Sequence, residues 1–176
     1  RIESFEPDWM LASWLSNEHA RARPEWSTQA LLYLAAPDAA LAEGIEQAER
    51  WELFVQCNRA PAVGDPSNEA VRIYVGPPDK PKCILRVNLR GELVDELSKG
   101  ELAATESIAI ATSPDRWSFK IKLPPGAAEA DGTLRLGIAR TDAALRRTSW
   151  PRAVFPWQDA PPRAAVDTGR WNASTN

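Results

Sequence analysis

The chain has 176 residues, of which 44% are hydrophobic and 26% are charged, and its formal net charge is −3. This length suits one domain, and the ordinary composition argues against a disordered or fibrous protein. Basic residues are spread along the sequence apart from Arg146 and Arg147, so no nucleic-acid partner is expected. No apolar run approaches the roughly 20 residues that a membrane-spanning helix needs, so membrane insertion is not expected either.

The N-terminal segment predicts a short helical arm. Phe5, Trp9 and Trp14 are spaced between polar residues as in an amphipathic helix that ends before Pro24. We expect residues 1–25 to form this arm and residues 26–171 to form the main body of a single domain, 1–176. His19, the only histidine, lies in the arm without metal-ligand spacing to Cys or Asp, and is interpreted as an exposed helix residue.

From Trp26 onward, short apolar runs separated by turn residues predict β-strands. The predicted strands cover residues 30–35, 52–57, 70–75, 83–88, 107–112, 116–123 and 133–140. The Pro- and Gly-rich segment 76–81 predicts a hairpin between two of them. Short strands joined by Gly, Pro and Asp turns favour an all-β fold, an antiparallel β-sandwich of the immunoglobulin or jelly-roll type.

Alternation within the strands indicates which side chains face the core. Phe119, Ile121 and Leu123 are predicted to point inward, and the polar residues between them outward. The same periodicity points Cys57 and Cys83, the two cysteines of the chain, into one core. Buried free thiols and a cross-strand disulfide are both consistent with this pattern, because sequence does not give the distance between the Cα atoms.

Polar residues occupy the opposite face of two of these strands. Glu52 and Gln56 alternate with one set of core residues, and Arg86 and Asn88 with another. If the two strands are neighbours, these side chains lie together on the outer face and form a polar site. The alternative interpretation is a solvated sheet surface.

The C-terminal third carries Trp150, Trp157 and Trp171 among prolines and arginines with few aliphatic residues nearby. A tryptophan that cannot join a core often forms an exposed platform for a sugar, a base or a proline-rich peptide. The sequence has no nucleophile elbow, phosphate loop or dinucleotide fingerprint. We therefore expect a binding module and not an enzyme.

The order of several segments resembles the family 9 carbohydrate-binding modules, a β-sandwich family. The segments that carry the resemblance are 51–54 (WELF), 85–88 (LRVN), 137–142 (GIARTD), 149–150 (SW) and 157–161 (WQDAP). In that family a sugar is clasped between two tryptophans while polar side chains bond its hydroxyl groups. The place of the family's second tryptophan is occupied here by residues 46–50 (EQAER).

The resemblance implies a non-catalytic sugar-binding function and assigns six ligand-binding residues. They are Trp157 as the stacking platform, Glu52 and Arg86 as hydroxyl partners, and Asn88, Gln158 and Trp150 as second choices, with Trp150 the candidate for the missing wall. The partner is then a poly- or oligosaccharide bound with a micromolar to millimolar dissociation constant, about 4 to 8 kcal/mol. The alternative is a protein-interaction sandwich that has lost sugar binding and uses the same exposed tryptophans.

The resemblance also bears on cofactors and location. It implies no cofactor but leaves room for a structural calcium ion, although no Asp-rich loop of the sequence has calcium-ligand spacing. It further implies a secreted or periplasmic protein.

Overall fold

The computed structural model describes residues 28–34, 51–59, 64–98, 100–101, 108–124, 126–150 and 160–167. The predicted N-terminal arm, His19, Trp157, Gln158 and Trp171 lie outside these residues. The described elements are β-strands and one short 3-10 helix, Pro66–Asn68. No helix among the described residues has the length and apolar character needed to cross a membrane.

Eleven strands follow one another along the described parts of the chain. They are β1 (Thr28–Leu34), β2 (Trp51–Asn58), β3 (Ala70–Val75), β4 (Cys83–Asn88), β5 (Leu93–Asp95), β6 (Gly100–Glu101), β7 (Ala109–Thr112), β8 (Arg116–Lys122), β9 (Thr133–Thr141), β10 (Arg147–Trp150) and β11 (Ala164–Asp167).

The strands form two sheets with antiparallel pairing throughout. The four-stranded sheet has the order β1-β2-β8-β7. The seven-stranded sheet has the order β10-β9-β3-β4-β5-β6, and β11 also pairs with β9. Side chains from β2 and β8 join side chains from β3, β4 and β9 in one buried core. The fold is therefore an antiparallel β-sandwich, which confirms the predicted fold class.

The longer strands were predicted best. The bounds of β3 and β4 coincide with the prediction, and the segment between them is the predicted hairpin. The sequence analysis missed β5, β6, β10 and β11, which have two to four residues each. Such short strands contain too few residues to show a period of two, so only pairing with longer neighbours reveals them.

The inward-facing side chains are those that alternation predicted. Phe119, Ile121 and Leu123 are buried, and Trp51 joins them. Cys57 and Cys83 are also buried in this core and are free thiols. They lie on β2 and β4, in different sheets. The structure thus decides between the two interpretations that the sequence left open, in favour of free thiols.

A buried charged cluster closes one region between the sheets, and the sequence analysis did not find it. Glu69 accepts hydrogen bonds from Trp117 Nε1 at 2.8 Å, Arg140 Nη2 at 2.6 Å and Arg59 Nε at 3.1 Å. Arg140 also donates to the Asn58 carbonyl at 2.7 Å. Because the carboxylate has three donors, its burial does not leave a lone charge in the interior.

Gly137 on β9 permits a close approach of the chain to the outer face of the seven-stranded sheet. A Cβ atom at this position would lie 2.9 Å from the carbonyl oxygen of Pro162 and 3.1 Å from Cγ of Pro161. The segment 161–163 therefore lies directly against the sheet before β11 begins. Only glycine leaves room for this crossing without displacing backbone.

Candidate functional site

The structure separates the predicted polar residues into two groups. Glu52 lies on β2 in the four-stranded sheet, whereas Arg86 and Asn88 lie on β4 in the seven-stranded sheet. Each residue alternates with core residues of its own strand, so each faces away from the core. The expectation that the three share one face required β2 and β4 to be neighbours, and it is wrong. Glu52 lies on the opposite side of the sandwich from Arg86.

Glu52 has a local electrostatic partner in its own sheet. It is only 6% exposed, and its Oε2 lies 3.3 Å from Nζ of Lys120 on the neighbouring strand β8. The predicted role as a hydroxyl partner beside Arg86 is thus not supported by its position.

Asn88 stands beside Arg86 at the end of β4 and holds the turn that follows. Its Oδ1 accepts hydrogen bonds from the backbone N–H groups of Arg90 at 3.0 Å and Glu92 at 3.1 Å. Its Nδ2 donates to Glu92 Oε2 at 2.6 Å. These bonds shape the edge of the face on which Arg86 lies.

Trp150 faces the interior and not the outer surface. It lies opposite the buried Ile138 in the β9–β10 pair, and its half-buried ring packs against the core. The pocket next to it has a volume of about 20 Å³. Such a space holds little more than one water molecule, so it does not fit a pyranose ring. The other two predicted residues, Trp157 and Gln158, lie outside the described residues.

Arg72 is the neighbour of Arg86 that sequence reasoning missed. The two arginines are direct register partners in the β3–β4 hairpin. Glu96 lies beside both: its carboxylate oxygens are 2.9 and 3.1 Å from Arg72 Nε, and Oε1 is 4.0 Å from Arg86 Nε. The three side chains are each about one-third exposed. Alternation along β3 is the signal that could have placed Arg72 on this face, whereas nothing in the sequence indicates that Glu96 lies next to it.

Arg86 also lines a polar groove next to Arg72 and Glu96, which we call the Arg86 groove. Its volume is about 500 Å³, which lies in the range of small-ligand sites. Its polar lining residues are Asp65, Ser67, Arg86, Asn88, Arg90 and Glu92, and Pro66 and Leu89 complete the lining. Hydrogen bonds from Ser67 lower the pKa of Asp65, so the groove presents an ionised carboxylate together with guanidinium donors. Such a mixture of donors and acceptors suits a ligand rich in hydroxyl groups.

Tyr74 follows Arg72 on the outer face of β3, and the side chain of Arg163 lies over its ring. Cζ of Arg163 lies 4.4 Å from the centre of the Tyr74 ring, a cation–π contact. The pKa of the Tyr74 phenol is raised, mainly because the group is buried. The positive charges of nearby arginines, Arg72, Arg163 and Arg147, oppose this shift, whereas the negative charge of Glu96 adds to it. These arginines come from three separate segments of the sequence, and the fold brings their charges close enough to Tyr74 to affect its pKa.

The described residues do not contain a metal site of a recognisable kind. No group of three or more His, Cys, Asp or Glu side chains in this part of the structure is placed to hold an ion.

Fold and site together describe a β-sandwich with a polar, arginine-rich outer sheet face. Two solved structures of a family 9 carbohydrate-binding module from Caldicellulosiruptor kristjanssonii, one in complex with cellotriose and one with glucose, are similar to this chain. Each is 11% identical with a TM-score of 0.41 and covers 81% of this chain; this chain covers 70% and 71% of theirs. No family model and no curated protein sequence matches.

Proposed function

We propose that the protein is a non-catalytic carbohydrate-binding domain whose site lies in the Arg86 groove and on the sheet face beside it. One observation carries the proposal: guanidinium donors and a carboxylate acceptor, Arg72, Arg86 and Glu96, lie side by side within 4.0 Å next to an open groove. A sugar hydroxyl both donates and accepts, so adjacent hydroxyls match such a pair. The proposal keeps Trp157 as the stacking platform, as the resemblance implied, and drops Glu52.

A binding role without catalysis is consistent with the carboxylates of the described residues. The aspartates with a displaced pKa, Asp65, Asp95, Asp115 and Asp131, all have it lowered. A carboxylic acid that serves as a proton donor at neutral pH needs a raised pKa instead. We accordingly expect no glycoside hydrolysis. Because the proposed ligand is a polysaccharide, we also propose that the domain acts outside the cytoplasm, as the family resemblance implies.

The protein-interaction alternative finds less support on the described surface. Leu97 and Leu145 are the exposed large hydrophobic residues there, and they lie in separate loops. A protein interface usually buries a contiguous apolar centre.

The proposal is tested by isothermal titration calorimetry of the full chain with glucose and cellotriose, the ligands of the two similar structures. We expect saturable binding in the micromolar to millimolar range. Arg86→Ala should weaken it at least about tenfold, or 1.4 kcal/mol. The matched control is Arg116→Ala, an exposed arginine on β8 of the other sheet.

Trp157→Ala tests the stacking platform separately. We expect it to abolish sugar binding while thermal unfolding stays nearly unchanged. If neither neutral sugars nor an oligosaccharide that contains uronic acid bind to the folded wild-type chain, by calorimetry or by tryptophan fluorescence, the proposed function is wrong and a protein partner should be sought.

A further inference from the structure

The arginines around Tyr74 form a surface of their own, which we call the arginine face. It consists of Arg72, Arg86, Arg147 and Arg163, with Glu96 among them. Arg72 and Arg86 share the carboxylate of Glu96, and Arg163 and Arg147 lie on the same outer face of the sheet. The whole protein has a net charge of −3, so this local excess of positive charge is not a property of the average surface.

The strand register explains how the face is assembled. Arg72 and Arg86 are opposite each other, and Ala139 pairs with Arg72 on the other side. Ser149 on β10 lies opposite Ala139. Arg147 lies two residues before Ser149 on the same strand and therefore faces the same way. Arg147 therefore lies in the row of Thr141 and Ala70, next to the row that holds Arg72, Ala139 and Ser149.

Arg163 approaches the face from above the sheet. Gly137 allows segment 161–163 to cross there, and the Arg163 side chain then lies over Tyr74. Its Nη1 donates to the Pro161 carbonyl, and its Nε is buried with no hydrogen-bond acceptor among the described residues. Burial lowers the pKa of the Arg163 guanidinium, because the charged form loses solvation.

Arg72 and Arg86 each approach Glu96 through Nε. The Nη atoms of the two arginines make no hydrogen bond to any described residue. Guanidinium groups held close together repel one another, and an anionic group placed between them relieves this repulsion. The planar fork of arginine matches the planar carboxylate in a two-point contact.

We propose that the arginine face selects a carboxylate-bearing saccharide, a chain that contains uronic acid, over the neutral saccharide of the same backbone. The inference rests on the proposed function, because the hydroxyl groups of the same chain lie against Glu96 and the Arg86 groove. Glu96 favours a saccharide over a polyphosphate because its carboxylate accepts hydrogen bonds from hydroxyl groups, which a saccharide supplies.

The test compares two trisaccharides that differ only at C6: cellotriose and the β-1,4-linked trisaccharide of glucuronic acid. Calorimetry with the full chain at low ionic strength should give at least about tenfold tighter binding of the uronate, and the difference should shrink as salt is added. Arg72→Gln should reduce the uronate preference, whereas the charge-matched control Arg116→Gln on the other sheet should leave it unchanged. Glu96→Gln should increase the preference, since it removes the repelling carboxylate and the hydroxyl acceptor together.

The outcomes separate the two proposals. If cellotriose binds as tightly as the uronate, selection of uronates is overturned and the proposed sugar-binding function stands. If neither trisaccharide binds to the folded chain, both proposals fail. If hexathymidylate binds more tightly than the uronate, the face is a single-stranded nucleic-acid surface and the saccharide class is wrong.

Discussion

Arg72 and Arg86 face each other as direct register partners in the β3–β4 hairpin, with Glu96 held 2.9 Å from Arg72 Nε and 4.0 Å from Arg86 Nε. Like charges directly across two strands are destabilising. The carboxylate of Glu96 offsets this repulsion, so the pair persists on a partly exposed face. The protein thus keeps two adjacent guanidinium groups available to a ligand.

Removing the charge of Glu96 should therefore destabilise the protein. We expect Glu96→Gln to lower the free energy of unfolding by about 1 kcal/mol, because two partly exposed ion pairs are lost and the arginine repulsion remains. Urea denaturation followed by tryptophan fluorescence measures the change. The control is Asp79→Asn in the exposed β3–β4 turn, which should have almost no effect. Equal effects of the two variants would show that Glu96 does not compensate the arginines.

The buried carboxylate of Glu69 should matter more. Glu69→Gln keeps a side chain of the same shape but leaves Arg140, which is 4% exposed, without its ion pair. Loss of one partner of a buried pair typically costs about 3 to 5 kcal/mol. The comparison variant is Glu129→Gln, whose half-exposed partner Arg135 lies 3.3 Å away, and which should cost less than about 1 kcal/mol. Chemical denaturation of both variants checks the contrast, and similar losses would refute it.

Cys57 should make stability fall at alkaline pH. Burial raises the pKa of its thiol to about 12, from an ordinary value of 9.0, and the charge of Arg140 opposes this only in part. Between these values the unfolded chain binds fewer protons than the folded chain, so stability decreases as pH rises. The contribution of one such thiol approaches about 1.4 kcal/mol per pH unit.

The pH dependence is measured by urea denaturation at several pH values from neutral to strongly alkaline. Tyrosines and lysines titrate in the same range, so the informative quantity is the difference from Cys57→Ala. That variant should have a shallower decline above pH 9.0, the ordinary thiol pKa. Parallel curves for the two proteins would contradict the assignment to Cys57.

Gly137→Ala should loosen the segment that carries Arg163. The new Cβ atom would meet the Pro162 carbonyl oxygen at 2.9 Å, so backbone has to move. We expect a loss of about 1 to 3 kcal/mol, typical of an overpacked site. Arg163→Met leaves the backbone crossing in place, removes the contact with Tyr74 and the hydrogen bond to the Pro161 carbonyl, and should cost about 1 kcal/mol. Thermal unfolding of both variants distinguishes displacement of the segment from loss of the cation–π contact, and an unperturbed Gly137→Ala would show that the crossing is not tight.

Much of the fold could be predicted from local sequence. Strand β8 was predicted because Phe119, Ile121 and Leu123 alternate with polar residues, and the inward direction of Cys57 and Cys83 followed from the same rule. Each of these statements concerns a single strand. Alternation is a local property that a strand of sufficient length carries in its own sequence, so it is readable without knowledge of the partner.

The candidate site depended on which strands are neighbours, and that only the tertiary structure decided. Glu52 and Arg86 have the same relation to their own core residues, yet β2 and β4 belong to different sheets. Arg72 takes the place beside Arg86, and Arg147 and Arg163 reach the same face from segments far along the chain. Sheet pairing is set by the packing of the whole core. The sequence by itself therefore determined the strands and their inner faces, and the three-dimensional pairing determined which polar side chains meet.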